Sequence, residues 1–147
     1  MLVCGIDEAR RGPVLGCMVM CGALINEEDM PKLVKLNPKD SKLLTKEERE
    51  ELYPKLISVL KYKIIIMQPA EIDKAVHGHG GLNLNKLEAH KQADILNEFN
   101  PGKSIIDCPS NNIKSYKQQL MKLLNNKKVE LILEHNAERY PLVAAAS

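Results

Sequence analysis

Short apolar runs alternate with amphipathic stretches along this chain, and that pattern predicts an α/β domain. Only a turn separates the first two apolar runs, so we expect an antiparallel start; strands and helices alternate from the third strand onward. A helix capping box at Thr45 to Glu48 predicts a helix start, and Pro141 suits the first turn of a last helix. The strands are predicted at 2–6, 15–24, 62–68, 104–108 and 129–133, and the other helices at about 45–60, 70–76, 83–99 and 110–125.

Carboxylates accompany three of the predicted strands. Asp7 and Glu8 follow the first strand, Asp107 lies near the end of the fourth, and Glu138 follows the fifth. Carboxylate oxygens suit Mg²⁺ or Mn²⁺. Because successive side chains of a strand point to opposite faces, Asp7 and Glu8 share one site only if the backbone leaves the strand between them. We therefore expect the backbone to bend here, with Gly12 and Pro13 supplying the bend.

Two arginines and a turn follow the first pair of acids. Arg10 and Arg11 suit a phosphate that a bound metal activates, and Gly12 and Pro13 are typical turn residues. A solvated turn with local ion pairs is the alternative interpretation of this segment. For Asp107, which precedes Pro-Ser, the alternative is an aspartate that caps the next helix.

Four segments, taken in order, resemble those of ribonuclease HII, the type 2 RNase H, and most closely its archaeal form. They are GIDEARRGPVLG, KDSKLLTKEERE, the strand that carries Asp107, and EHNAERYPLVAAAS. The resemblance implies an RNase H-like α/β fold, with a central mixed five-stranded sheet flanked by helices. It also implies an endonuclease that uses Mg²⁺ or Mn²⁺ to hydrolyse the RNA strand of RNA–DNA hybrids and to cut at ribonucleotides embedded in duplex DNA.

The resemblance also implies roles for individual residues. The catalytic and metal-binding acids correspond to Asp7, Glu8, Asp107 and Glu138. The residues that would face the ribose 2′-OH and the phosphate backbone correspond to Arg10, Arg11, Gly12 and Lys42. Tyr140 corresponds to the tyrosine that stacks on the sugar beside the RNA–DNA junction, although the residue alone favours a packing role.

The chain departs from the family pattern at three places. Arg10 stands where the first glycine of an Asp-Glu-Ala-Gly-Arg-Gly motif is usual, and we expect it to hinder close approach to the ribose. If that position required a positive φ, the arginine would add about 1–2 kcal/mol of strain. Glu138 stands where aspartate is usual. Family members continue through a basic helix and a further helical region, which we expect residues 1–147 to lack.

Composition agrees with one catalytic domain over residues 1–147. The chain has 147 residues, of which 44% are hydrophobic, and such a chain buries a sizeable core. No apolar run reaches the roughly 20 residues of a membrane span, and no secretion signal is recognised. We therefore expect a cytoplasmic monomer. The net charge of +2 is a weak basic bias and identifies no partner by itself.

Three further groups of side chains have simpler explanations than a binding site. The cysteines are predicted to be buried, reduced thiols rather than a zinc set: Cys4, Cys17, Cys21 and Cys108. His77 and His79 lie in a glycine-rich stretch that is more typical of a loop than of a metal site. The lysines after 110 favour a solvated helix face over a phosphate track: Lys114, Lys117, Lys122, Lys127 and Lys128.

The expected function is metal-assisted hydrolysis of a phosphodiester in an RNA–DNA hybrid or a ribonucleotide-containing DNA duplex. One alternative is a hybrid-binding module that has lost catalysis, motivated by the three departures. The other is a fragment that keeps the fold without useful affinity, in which case we expect exposed apolar surface and self-association. Retained binding without turnover would favour the first alternative.

Overall fold

The central feature of the molecule is a mixed β-sheet, seen here in a computed structural model that describes residues 1–10, 17–39, 43–76 and 84–147. Within these ranges the strands are β1 (Leu2–Arg10), β2 (Met18–Asn26), β3 (Lys61–Met67), β4 (Lys103–Asp107) and β5 (Glu130–Glu134). They form one five-stranded sheet in the order β3-β2-β1-β4-β5. The first three pair antiparallel, and β4 is parallel to both β1 and β5. The expected mixed sheet is therefore confirmed.

Helices connect and cover the strands. In the described ranges they are α1 (Met30–Leu36), α2 (Lys46–Ile57), α3 (Pro69–Val76), α4 (Leu84–Phe99), α5 (Ile113–Leu123) and α6 (Pro141–Ala146). Short 3-10 helices occupy Glu27–Asp29 and Ala137–Arg139. The predicted capping box is present: the Thr45 hydroxyl accepts the Glu48 N–H, and the Glu48 carboxylate accepts the Thr45 N–H. None of the described helices is both long enough and apolar enough to span a membrane.

The boundaries differ from the prediction at instructive places. Strand β1 continues to Arg10, because β2 pairs with it along its whole length and Arg10 lies opposite Met18. Helix α1 was not predicted, although Asn26 caps the turn before it and Pro31 lies in its first turn. Helix α5 begins three residues later than expected, because the side chain of Asn112 accepts the Ser115 N–H and caps it.

Two apolar layers enclose the sheet. On one face α4 and α5 pack on a cluster that includes Cys4, Ile6, Met20 and Ile106. On the other face α6 and α1 pack on Val3, Ala23 and Ile25 through Leu142 and Leu33. The buried positions of β1 therefore alternate between two helical layers, as a central strand requires.

One face of β3 is only partly covered by the rest of the described chain. Tyr62, Ile64 and Ile66 alternate along the strand and are about half exposed. A contiguous apolar surface of this kind is typical of an interaction site or of limited solubility.

Gly5 allows α6 to lie directly against β1. A Cβ atom at Gly5 would lie 2.8 Å from the backbone carbonyl carbon and 2.9 Å from the backbone oxygen of Leu142. A backbone contact cannot be relieved by rotating a side chain, so any larger residue must push α6 away from the sheet. This close approach fixes the segment that follows Tyr140 against the strand that carries Asp7.

We expect Gly5→Ala to destabilise the protein by about 1–3 kcal/mol, because the added methyl group overlaps the α6 backbone. Gly102→Ala is the matched control, since its Cβ would overlap with the flexible Met1 side chain, at 2.7 Å, which can move away, while the Leu2 carbonyl oxygen lies at an ordinary contact distance of 3.8 Å. Urea unfolding of both variants measures the difference. Equal midpoints for the two variants would contradict this account of the β1–α6 contact.

Candidate active site

Asp7 lies in the middle strand and is nearly buried, with a relative exposure of 9%. It pairs with Cys21 of β2, and its Oδ1 accepts the backbone N–H of Glu8 at 2.8 Å. Its charge also affects the facing thiol: burial raises the pKa of Cys21 to about 11, and the Asp7 carboxylate contributes to that rise. Asp7 is thus a carboxylate held within the sheet rather than a side chain of a solvated turn.

Glu8 lies on the opposite face of β1. It pairs with Met20, and β1 continues as a strand through both acids. The Glu8 carboxylate also affects Tyr116 of α5. Burial raises the pKa of Tyr116, and the carboxylates of Glu88 and Glu8 raise it further. The expected bend between Asp7 and Glu8 is therefore wrong: strand pairing with β2 keeps the backbone extended, and alternation separates the two side chains.

Asp107 lies beside Asp7 where the pairing of β1 with β4 ends, and this end of the pairing forms the edge of the candidate site. The parallel pairing of β1 with β4 ends at Ile6 and Ile106, so the two aspartates follow it side by side. The Asp107 Oδ1 accepts the backbone N–H of Ala137 at 3.3 Å. The interpretation of Asp107 as a helix cap is wrong, because Asn112 caps α5.

Glu138 lies in the 3-10 helix that Asp107 anchors. It is half-buried in the helix Ala137–Arg139, and the residue before this helix, Asn136, has a left-handed φ of 57°. A second tie joins His135 to the loop after β4, since its Nε2 lies 2.8 Å from the carbonyl oxygen of Ser110. These contacts hold Glu138 beside the strand end that carries Asp107.

A second glutamate, Glu134, competes with Glu138 as a candidate acid on this edge. It pairs with Asp107 at the end of β5, but its carboxylate forms an ion pair with Arg139. No ion pair joins Glu138 to another described residue. The arrangement therefore favours Glu138 over Glu134 as the acid available for a metal.

The chemistry of this edge suits a hard divalent cation. Its donors are carboxylates, which Mg²⁺ and Mn²⁺ prefer, rather than the thiolates and imidazoles typical of zinc. Across the described ranges, however, no three Asp, Glu, His or Cys side chains lie close enough together to hold one ion. The structure sets Asp7 beside Asp107 on neighbouring strands, and it sets Glu138 in the 3-10 helix that Asp107 anchors.

Most of the predicted substrate-binding residues lie outside the described residues. These are Arg11, Gly12 and Lys42, together with the side chain of Arg10. The backbone of Arg10 is extended opposite Met18, so the strain expected from a positive φ does not arise.

Tyr140 is half-buried and packs on a small cluster beside the acids. The cluster consists of Ile105, Ala137 and Val143. The guanidinium of Arg139 lies 5.0 Å from the centroid of the tyrosine ring. Packing, the alternative interpretation of this residue, is therefore part of its role, and the ring keeps some accessible surface.

The cysteines are free thiols with unequal burial. Cys4 and Cys108 are buried as predicted, and burial raises the pKa of Cys4 to about 12. Cys17 and Cys21 are only half-buried, so the prediction was wrong about the extent of their burial. Met18 and Met20 face the layer of α4 and α5, so strand alternation turns Cys21 to the opposite face, where it packs only partly on the second cluster, and Cys17 precedes β2. His77 and His79 lie outside the described residues.

The lysines after residue 110 form an exposed surface beside the predicted apolar face of α5, on which Tyr116 and Leu120 are buried. Lys127 binds the C-terminal end of α5, since its Nζ donates to the carbonyl oxygens of Met121 at 2.7 Å and of Lys122 at 3.2 Å. Such a cation complements the negative end of a helix dipole. These positions favour the solvated-face interpretation.

Sequence reasoning missed Glu88, which is only 1% exposed in α4. Its charge raises the pKa of Tyr116, and it also contributes, after burial and Asp107, to the raised pKa of Cys108. The Tyr116 hydroxyl in turn donates to the Gln92 Oε1 at 2.7 Å. A glutamate between Leu87 and Ala89 has the pattern of an exposed helix position, so no sequence signal indicated its burial.

We expect Asp7→Asn to lower the pKa of Cys21, because removal of the carboxylate removes one cause of its rise while burial remains. More thiolate at pH 9 should speed alkylation of Cys21 by iodoacetamide by about two- to tenfold, measured by mass spectrometry of its peptide. Cys108 is the internal control, since burial, Asp107 and Glu88 raise its pKa and Asp7 is not among the causes. An unchanged rate at Cys21 would show that Asp7 does not act on it.

Comparison with known proteins agrees with these observations. The sequence profile described as Ribonuclease HII matches residues 4–147. A curated ribonuclease HII of Methanococcus maripaludis strain C7 is 45% identical over 99% of this chain, which spans 62% of that relative's length. The crystal structure of ribonuclease H2 from Pyrococcus horikoshii OT3 superposes with a TM-score of 0.85 at 37% identity, over 99% of this chain and 68% of that one.

A second solved structure, the PCNA:RNase HII complex from Archaeoglobus fulgidus, gives a TM-score of 0.83 at 30% identity, over 99% of this chain and 69% of that one. The fold inferred from the sequence motifs is thereby confirmed, as is the archaeal character of the resemblance. On sequence and on structure alike, this chain belongs to the ribonuclease HII family.

Proposed function

We propose that this chain is the catalytic domain of an endonuclease that hydrolyses the RNA strand of RNA–DNA hybrids and cuts at ribonucleotides embedded in DNA. The observation that carries the proposal is the parallel pairing of β1 with β4, which ends at Ile6 and Ile106 and sets Asp7 beside Asp107. The hydrogen bond from Ala137 to Asp107 then adds Glu138 to the same edge. Family membership supports the same reaction class.

Asp7 is the proposed shared ligand, and Glu8, Asp107 and Glu138 complete the metal-binding set. Bound Mg²⁺ or Mn²⁺ would activate the attacking water and stabilise the leaving 3′-oxygen. The Glu8 N–H orients the Asp7 carboxylate, and the Ala137 N–H does the same for Asp107. These backbone donors fix where the negative charge of the site is presented.

The proposal requires a third ligand to join Asp7 and Asp107, because no three acid, histidine or cysteine side chains of the described residues lie close enough to hold one ion. Neighbouring strands lie only about 4.8 Å apart, and carboxylate oxygens bind Mg²⁺ at about 2.1 Å. Carboxylates at this spacing on two neighbouring strands can therefore both reach one ion with no change in the sheet. The Glu8 carboxylate is farther from such an ion, because it lies on the other face of β1.

Substrate recognition is proposed for residues that the family motifs indicate, most of which lie outside the described part of the chain. Arg11 and Gly12 would read the 2′-OH, Lys42 would contact a phosphate, and Tyr140 would lie against the sugar. The accessible part of the half-buried Tyr140 ring, a short segment away from Glu138, supports the last assignment. Arg10 would limit how closely the ribose approaches.

A binding module without hydrolysis is the second candidate function. It is favoured by the absence, across the described part of the chain, of three acid, histidine or cysteine side chains gathered closely enough to hold an ion. Such a module would bind the same duplexes without turnover. Measured affinity in the absence of cleavage would distinguish it from the nuclease.

We expect the protein to cleave a labelled DNA duplex carrying one ribonucleotide, and an RNA–DNA hybrid, in Mg²⁺ or Mn²⁺. Asp7→Asn, Asp107→Asn and Glu138→Gln should each lower kcat by about 100-fold or more, because each removes a negative ligand from the metal site. Gel analysis of the products gives both the rate and the cut position, which we expect on the 5′ side of the ribonucleotide.

Two variants control for the change of charge itself. Asp94→Asn alters an exposed acid of α4, and Glu130→Gln alters an exposed acid at the start of β5 that pairs with Lys103. Both should retain kcat within about twofold, as surface ion pairs contribute little. Cleavage that survives Asp7→Asn would refute the proposed site, and absence of cleavage by folded wild-type protein would favour the binding module.

A further inference from the structure

Arg139 connects three groups beside the proposed site. Its guanidinium pairs with the Glu134 carboxylate, and its Nη1 donates to the carbonyl oxygen of His135 at 3.5 Å. The same group lies 5.0 Å from the centroid of the Tyr140 ring, within the range of a cation–π contact. An arginine held at two points thus covers part of the tyrosine ring.

Glu134, the anchor of this arginine, is itself fixed by the sheet. It is the last residue of β5, it pairs with Asp107 of β4, and its carbonyl oxygen accepts the Cys108 N–H at 3.0 Å. Its side chain is only 33% exposed, whereas that of Arg139 is 57% exposed. Through Glu134, the guanidinium is therefore held in a fixed position relative to the strand end that carries Asp107.

Tyr140 needs such a constraint if it is to discriminate between substrates. Its ring packs on Ile105, Ala137 and Val143 on one side of the segment, but it stays half-buried and has no cap hydrogen bond from its side chain. A planar, fixed guanidinium limits the ring torsions more than a flexible ammonium would. The Arg139 contacts lead to Glu134, His135 and Tyr140 rather than to the four proposed catalytic acids.

We propose that Arg139, held by Glu134, is a positioning residue that fixes the Tyr140 ring for selection of the ribonucleotide-containing strand. The inference rests on the proposed function, because it assumes that Tyr140 contacts the sugar. It assigns to Arg139 an effect on substrate affinity that is transmitted through Tyr140, while hydrolysis stays with the acids.

The test compares Arg139→Met, which keeps the aliphatic stem and removes the charge, with Arg139→Lys, which restores a cation. For the duplex with a single ribonucleotide, Arg139→Met should raise KM by about two- to fivefold, with a smaller change in kcat. Arg139→Lys should recover part of the loss. Thermal unfolding should be nearly unchanged, because an exposed ion pair contributes little to stability.

A double-mutant cycle with Tyr140→Leu separates positioning from a direct contact. If Arg139 acts through Tyr140, adding Arg139→Met to Tyr140→Leu should cause no further loss of affinity. Independent losses that multiply in the double variant, or a loss confined to kcat, would overturn the inference.

Fluorescence anisotropy with the same labelled duplex, run in parallel, measures affinity without requiring turnover. Affinity that depends on Arg139 only when Tyr140 is present would support the inference even if the wild-type protein did not cleave, and then only the proposed function would fail. Cleavage by wild-type protein with affinity that Arg139→Met leaves unchanged would overturn the inference alone. Failure of the wild-type protein to bind either duplex would overturn both.

Discussion

The parallel pairing of β1 with β4 is the constraint on which the candidate site depends. It joins two strands that are about a hundred residues apart in sequence, with Ile6 opposite Ile106 as the last pair. A one-residue slip would move every side chain of one strand to the other face of the sheet. Burial of Ile6 and Ile106 in the same apolar layer opposes that slip, and Asp7 and Asp107 follow from it as neighbours.

The segment that carries Glu138 is connected to Asp107. Asp107 accepts a backbone hydrogen bond from Ala137, and this bond anchors the 3-10 helix that carries Glu138. Directly afterwards α6 lies against β1 at Gly5, where no side chain separates the two backbones. The segment between these two contacts, which includes Arg139 and Tyr140, is thus held at both ends. A short chain segment fixed in this way can present side chains with little loss of precision.

Much of the fold was predictable from the sequence, because apolar runs and helix caps are local signals. The order of the strands along the chain, the capping box at Thr45 and the last helix from Pro141 were of this kind. The acids next to apolar runs were also recognisable as candidates, since a carboxylate in such a position is unusual.

The remaining features depend on tertiary pairing, which local patterns do not contain. Strand β1 runs past Asp7 and Glu8 because β2 pairs with it as far as Arg10, so the two acids face opposite layers. Burial of Glu88 depends on α5 packing over α4, and the contact of Arg139 with Glu134 depends on the turn between them. None of these has a periodic signature along the chain.

The most direct test of the account is the position of a bound paramagnetic ion. With the backbone amide signals assigned, substoichiometric Mn²⁺ should broaden those of Asp7, Asp107 and Glu138 first, and Asp107→Asn should weaken that effect. Broadening centred instead on the exposed acids of α2, such as Glu47 and Glu51, would contradict the claim that the strand edge is a divalent-metal site.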